Sequence, residues 1–534
     1  PFILKIAAGG KMSEGRFTAV ASSGASRPLW ASGAWNQAGG QASGRVSLTA
    51  STLTEPWARR LGAEAVFALA GRKAGPAGFA LSGRIQASNL ALVADGFGDL
   101  GTRTLGPQGL KIAASTPSLS RITGGPTMGP ARVGGVLTGK GEAWRFAGSA
   151  AVSRLALGSY GLTEAAGPIE VSTSAGVLSA KARLTASGGR GAGWVAAVMG
   201  GAPRASFEGQ RLADGRLALR SLEVVGRGLQ LQASGGRGLL GGLTFKGRAE
   251  LSNLAAARKG AAGQATAAWT AAQAGAGKPW VFSLDARGQK FATGYGELDR
   301  LLGSTPQVKA QANLQNGRIA VANATLAGAA VKASSAGVLE SSGALSFKLD
   351  WSASGPFHAG PVEIAGQAKG SGAITGAVDA PRADLIADLD QIDVPRLPLK
   401  AAHVVLSFVR KPDGSSGMVA VTAQSAYGPA RGRADFRFPA GGVDLSGVSV
   451  DAGGLKASGS LSLRRSAPSA ADLLVAVARG AFLDAGTVAG TVRIVDAAGG
   501  PRASLDLTGV NARLPGSAIT LRTARVSADG PLSR

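Results

Sequence analysis

A strict two-residue alternation of apolar and polar side chains restricts this chain to sheet structure. Across residues 345–351 every odd position is apolar and every even one polar, and residues 280–287 repeat the pattern with Val281 as the exception. Successive side chains on a strand point to opposite faces, so such runs build a sheet with one apolar and one wet face. Shorter runs of the same kind lie at residues 45–50, 243–246, 404–408, 461–463, 505–507 and 519–522. Between them stand Asp214-Gly215, Asn316-Gly317 and Asp413-Gly414. These residues tolerate the positive φ of tight hairpin turns. The expected fold is all-β, a long twisted antiparallel meander with strands of about 5–8 residues.

Composition agrees with many strands and turns. Of 534 residues, 82 are Gly and 24 are Pro, and the 45% hydrophobic share includes only 5% aromatics. A few short flanking helices are expected within residues 55–69, 254–273, 295–302 and 467–482. In the last of these Pro468 suits a first helical turn. Cys is absent, which removes disulfides and thiolate metal sites, and two His leave little for other transition metals. The net charge of +25 comes from singly scattered Lys and Arg such as Arg45, Arg183, Arg216, Lys246, Lys348 and Arg493. That scatter argues against a nucleic-acid partner and for a solvated, weakly anion-attracting face.

Motifs that carry chemistry elsewhere are incomplete here. Residues 134–141 nearly spell a phosphate-binding loop, but Gly141 stands where Ser or Thr must hold magnesium. Residues 236–241 fit a dinucleotide glycine spacing yet precede a strand pattern rather than a helix. His358 and His403 lack recognisable catalytic partners. Asp379, Asp384, Asp388, Asp390 and Asp393 are read as a solvated face, although three share a parity that could attract calcium. No enzyme activity, metal or cofactor is expected.

Degenerate repeats run along the chain. Gly215-Arg-Leu-Ala-Leu leads to Leu229-Gln-Leu-Gln-Ala-Ser-Gly235, Gly317-Arg-Ile-Ala-Val leads to Val331-Lys-Ala-Ser334, and Gly442-Val-Asp-Leu leads to Leu455-Lys-Ala-Ser-Gly459. A second repeat reads Pro203-Arg-Ala-Ser-Phe207, Pro381-Arg-Ala-Asp-Leu385 and Pro501-Arg-Ala-Ser-Leu505. Its Pro marks where a new strand begins. No compositional linker divides the chain, so residues 1–534 read as one continuous repetitive segment of a longer protein. Neither end has the look of a natural terminus.

These units, with Ala380-Pro-Arg-Ala-Asp-Leu385 and Leu301-Leu-Gly-Ser-Thr-Pro306, resemble the repetitive middle region of the TamB group within the AsmA-like family. The resemblance covers most of residues 140–534 and more loosely residues 1–140. It implies a sheet curled into an extended hydrophobic groove, in the periplasm of a Gram-negative bacterium, on a parent chain anchored in the inner membrane. It further implies inter-membrane phospholipid transport and outer-membrane protein assembly. The barrel partner, TamA-like, would dock through regions outside this segment. With strands ~4.8 Å apart, about 40 of them would give roughly 150–200 Å of sheet. The groove lining is assigned to Trp280, Phe282, Leu284, Leu345, Phe347, Leu349, Trp351, Leu406 and Phe408, with phospholipid acyl chains as the occupant. The alternative is a structural β-helix or adhesin-like stalk that binds no lipid.

Overall fold

The computed structural model describes residues 2–531 apart from 53, 100, 126, 259, 360, 361, 412, 413, 440, 441, 465, 466, 498 and 499. The turn expected at Asp413 therefore lies outside the described residues. The chain falls into two compact units, Pro1–Ala276 and Gly277–Arg534. The fold is all-β, with 72% of residues in strands and 6% in helices. Every strand pairing described within the two units is antiparallel, which excludes a parallel β-helix.

In the first unit each strand pairs with its predecessor and successor. The meander runs from Phe2–Lys11 and Glu14–Ser23 to Leu243–Leu251 and Ala262–Gln273. One detour interrupts it. The two-residue strand Arg190–Gly191 folds back on Tyr160–Ser174, while Val177–Ser187 pairs onward with Arg204–Arg211. Because a meander reverses at every strand, its connections alternate between two margins. One margin is made mostly of tight turns such as Gly141-Glu142 and Ala175-Gly176. The other carries the longer loops and the helices Glu55–Leu61, Leu119–Thr123, Gly193–Met199 and Leu254–Ala257. Each of these helices follows four paired strands, so all four lie on the same loop margin. The first two pack against one another, as do the last two.

The second unit repeats this plan from Trp280–Ala292 and Gln307–Gln315 to Gly500–Arg513 and Leu521–Pro531. Its helix Gly296–Leu302 contacts the short strand Phe357–Ala359, which pairs with Val362–Ala377. Buried residues concentrate at its loop margin, where Phe357, Ile364, Leu389, Ile392, Leu397 and Ala481 form one cluster. In each unit the close-packed core thus runs along the loop margin rather than beneath the middle of the strands.

The repeats resolve into hairpins. Leu217–Val225 with Leu229–Arg237, Arg318–Ala327 with Val331–Leu339, and Gly442–Ala452 with Leu455–Arg464 are each one antiparallel pair. The Pro-Arg-Ala repeat opens Arg204–Arg211, Pro381–Asp393 and Gly500–Arg513. Most strands are longer than expected, reaching 16 residues in Val362–Ala377. Their Gly and Ala positions interrupt the visible alternation without interrupting the ladder. The helix expected within residues 467–482 is instead the strand Ala467–Val477. Here Ala471, Leu473 and Val475 face Ile494, Val492 and Gly490 across the ladder, while Asp472 reaches Arg493 on the other face. Within residues 254–273 only Leu254–Ala257 is helical, and within 55–69 only Glu55–Leu61. No helix among the described residues is long and apolar enough to cross a membrane.

Tyr160 ties the loop margin of the first unit together. It is 1% exposed, and its hydroxyl donates to the Gly200 carbonyl at 2.8 Å, at the end of Gly193–Met199. Burial raises its pKa above the usual phenol value of about 10. The folded chain therefore holds this proton more tightly than the unfolded chain. The contribution of Tyr160 is intact below pH 10 and declines as pH rises through the raised value. Tyr160→Phe removes one hydrogen bond and should cost about 1 kcal/mol locally. Amide exchange in Gly193–Met199, measured against pH, should be faster in the variant at neutral pH. The variant should also lack the alkaline loss of protection attributable to this group.

Candidate functional site: an apolar sheet face

Residues directly opposite one another in an antiparallel ladder share a face. In the second unit the register carries Trp280, Phe282 and Leu284 across to Leu314, Ala312 and Ala310, then to Ile319, Val321 and Ala324. It continues through Leu339 and Gly337 to Leu345, Phe347 and Leu349. From there it passes by Gly376, Ile374 and Gly372 to Ala383 and Leu385, and on to Phe408 and Leu406. Trp351 joins the same face opposite Ala333 and Gly370. All nine residues singled out in the sequence therefore stand on one face of this unit. None is buried, and Leu284 is 38% exposed. Val281, the exception to the alternation, points to the opposite face and is 53% exposed.

The first unit carries an apolar face of the same kind, on which the alternating runs at residues 45–50 and 243–246 place Val46 and Phe245, while most of its residues lie outside those runs. One cross-strand row reads Gly71, Leu81, Gly96, Leu110, Leu137, Phe146, Val171 and Ala180. The next reads Leu69, Gly83, Ala94, Ile112, Gly135, Gly148, Ile169 and Ala182. Neither row contains a charged residue. Two cavities open on this face. One of about 530 Å³ is lined by Phe17, Trp35, Leu69, Leu81 and Leu110 among small residues. The other, of about 460 Å³, is lined by Leu105, Ile112, Leu137, Trp144, Phe146 and Val171, with Arg103 at its edge. Both volumes fall in the range of small-molecule sites. The sequence signal for the second cavity is Ala143-Trp-Arg-Phe146, a short alternating run that reads as strand and is set among glycines.

Glycine shapes these faces. A Cβ at Gly247 would come 2.5 Å from the Trp269 ring, and one at Gly135 would come 2.6 Å from Phe146. At Gly337 it would come 2.7 Å from Phe347, and at Gly417 2.5 Å from Phe436. Each ring lies over a glycine of the neighbouring strand. Gly417 separates Phe408 from Phe436, the Phe436 ring lies over it, and the two rings stack with centroids 6.5 Å apart. The aromatic side chains thus lie along the sheet instead of standing up from it, and the face stays low enough to be filled by something else. The chain exposes 31310 Å² for a mass of 52.9 kDa. A compact globule of that mass exposes about 18,000 Å², and two separate halves about 21,000 Å² together. The excess matches faces that no second layer covers.

The opposite face is polar and ion-paired. Arg145 meets Glu170 at 2.9 Å, Arg464 meets Asp444 at 2.7 Å and Arg525 meets Asp506 at 2.8 Å. In each case a hydrogen bond from the arginine is the main reason the carboxyl pKa is lowered. Four members of the acidic cluster also have partners, Asp393 accepting from the Gln391 side-chain amide. Asp384 binds Arg382 at 2.7 Å and Ser407 at 2.6 Å, Asp388 lies 2.7 Å from His403 Nδ1, and Asp390 accepts the Gln367 amide at 2.7 Å. His358 sits between Glu297 and Glu363. No group of three or more His, Cys, Asp or Glu among the described residues converges on a metal position. Of the phosphate-loop-like residues, 134–140 belong to the strand Ala131–Lys140 and Gly141 opens the turn that follows, and residues 236–241 end one strand and turn into the next.

No family model and no curated protein matches the chain.

The seating of rings on glycine is open to a direct test. Gly247→Ala drives a methyl group against both the Gln232 carbonyl and the Trp269 ring, at an expected cost of about 1–3 kcal/mol. Gly134→Ala meets nothing closer than 4.0 Å and should be neutral or slightly stabilising. Amide exchange of Leu243–Leu251 and Ala262–Gln273 should accelerate only in the first variant.

Proposed function

We propose that the chain is a lipid-conducting segment whose apolar faces shelter acyl chains in transit between the two membranes of a bacterial envelope. The observation that carries this reading is the half-exposed apolar face, whose inner rows carry no charge, with its open cavities. Each CH₂ of an acyl chain buried there contributes about 0.8 kcal/mol. Rows of small and aliphatic side chains offer no directional partner, so a bound chain slides rather than locks. The resemblance to the TamB group supports the same role. Under this reading the parent protein sits in the periplasm on an inner-membrane anchor, and a TamA-like barrel is its outer-membrane partner.

The test is native mass spectrometry with lipid extraction on the chain purified from a Gram-negative host. Phospholipid should co-purify with the wild type. A Phe347→Glu/Leu349→Asp double variant and a Leu69→Asp/Leu81→Glu double variant, each folded by circular dichroism, should retain less. Combining the four substitutions should lower bound lipid at least fivefold. A well-folded wild-type chain free of lipid would overturn the proposal and return these faces to a structural role.

A further inference from the structure

Resting on the lipid-conducting reading, the geometry points to a head-group site along the turn margin of the first unit, selective for lipids with an anionic head group. The outermost row of the apolar face on that margin begins at Lys73, opposite Phe79, and passes by Leu105 and Trp144 to Leu178. It continues through Arg211, Leu217, Arg237 and Leu243. Three cations thus stand in one row with apolar residues, directly beside the inner rows that carry no charge. Arg103 adds a fourth on this margin, at the edge of the cavity formed by Trp144 and Phe146.

The charge on this unit is sorted by face. Its strand carboxylates, from Glu14 and Glu64 to Glu223 and Glu250, all fall on the opposite face by register. Several neutralise cations there, as Glu164 does Arg132, Glu170 does Arg145 and Glu208 does Lys181. On the turns of the margin itself, Asp214 is taken by Arg216 and Glu142 is exposed. Lys73, Arg103, Arg211 and Arg237 form no ion pair among the described residues. The loop margin on the far side is lined by buried groups such as Leu48, Tyr160, Val198 and Leu254. An amphiphile laid along the strands, from the turn margin inward, therefore meets cations at one end and apolar surface beyond them. A phosphate at the turn margin with acyl chains directed inward satisfies both.

The experiment offers the full chain an equimolar mixture of phosphatidylglycerol and phosphatidylcholine vesicles and quantifies extracted bound lipid by mass spectrometry. The wild type should be enriched in phosphatidylglycerol by up to about fivefold at low salt, the upper end of what one exposed ion pair gives. That enrichment should shrink at high ionic strength. Lys73→Gln/Arg103→Gln/Arg211→Gln/Arg237→Gln should keep total bound lipid while its ratio falls to that of the input. The control, Lys5→Gln/Arg16→Gln/Arg45→Gln/Arg84→Gln, removes the same charge from the polar face and should keep the wild-type ratio. A margin variant with undiminished enrichment overturns the inference and leaves the lipid reading standing. Equal loss in both variants assigns selectivity to net charge and also overturns it. A wild-type chain that binds neither lipid defeats the lipid reading itself.

Discussion

The antiparallel ladder fixes which side chains share a surface, and the whole architecture depends on that constraint. Residues opposite one another on neighbouring strands point the same way, so a slip of one residue in any pairing would carry an entire strand's apolar set to the wet side. The register avoids this through more than a dozen successive pairings in each unit. Where the strands are irregular, as between Leu219 and Leu222 or between Val321 and Ala324, the register shift restores the apolar residues to their face. The bulges are therefore part of how the face stays continuous.

The two margins divide the work of folding. Tight turns hold one margin with few side chains, leaving it thin and open. The other margin gathers helices, longer loops and most of the buried side chains, and there the chain finds the packing that the uncovered faces forgo. Stability and surface chemistry are thus placed on different parts of the same strands. Variants at Tyr160 or Val198 act on the first, and variants at Leu69 or Phe347 act mainly on the second.

Much of this was legible in the sequence because strand periodicity and turn chemistry are local. Residues 345–351 alternate so strictly that no other structure suits them, and Asn316-Gly317 forms the turn it was expected to form. The first unit's face was harder to find. Its large residues, such as Phe17, Trp35 and Leu81, are separated by the glycines that seat them, and a glycine gives no hydrophobic signal of its own. Short helices form within residues 55–69, 254–273 and 295–302 as expected, and the one failure, at 467–482, has a related cause. Residues 467–482 have helix-favouring Ala and Leu, yet those residues complete a ladder with Ala485–Ala497, and tertiary pairing overrides so weak a local preference. The helices Leu119–Thr123 and Gly193–Met199 are too short to produce a period of their own. The charge sorting that separates Arg211 from Glu208 emerges only once a register is known.

The four-strand interval between helices in the first unit implies a rule for how such a chain changes length. Two added strands return the backbone to the margin it left, with every side chain on its proper side. One added strand would exchange the margins for everything that follows. Gain or loss by whole hairpins is therefore the permitted step, each worth about 10 Å of sheet width. The three hairpin repeats spread through residues 215–464 are units of that size.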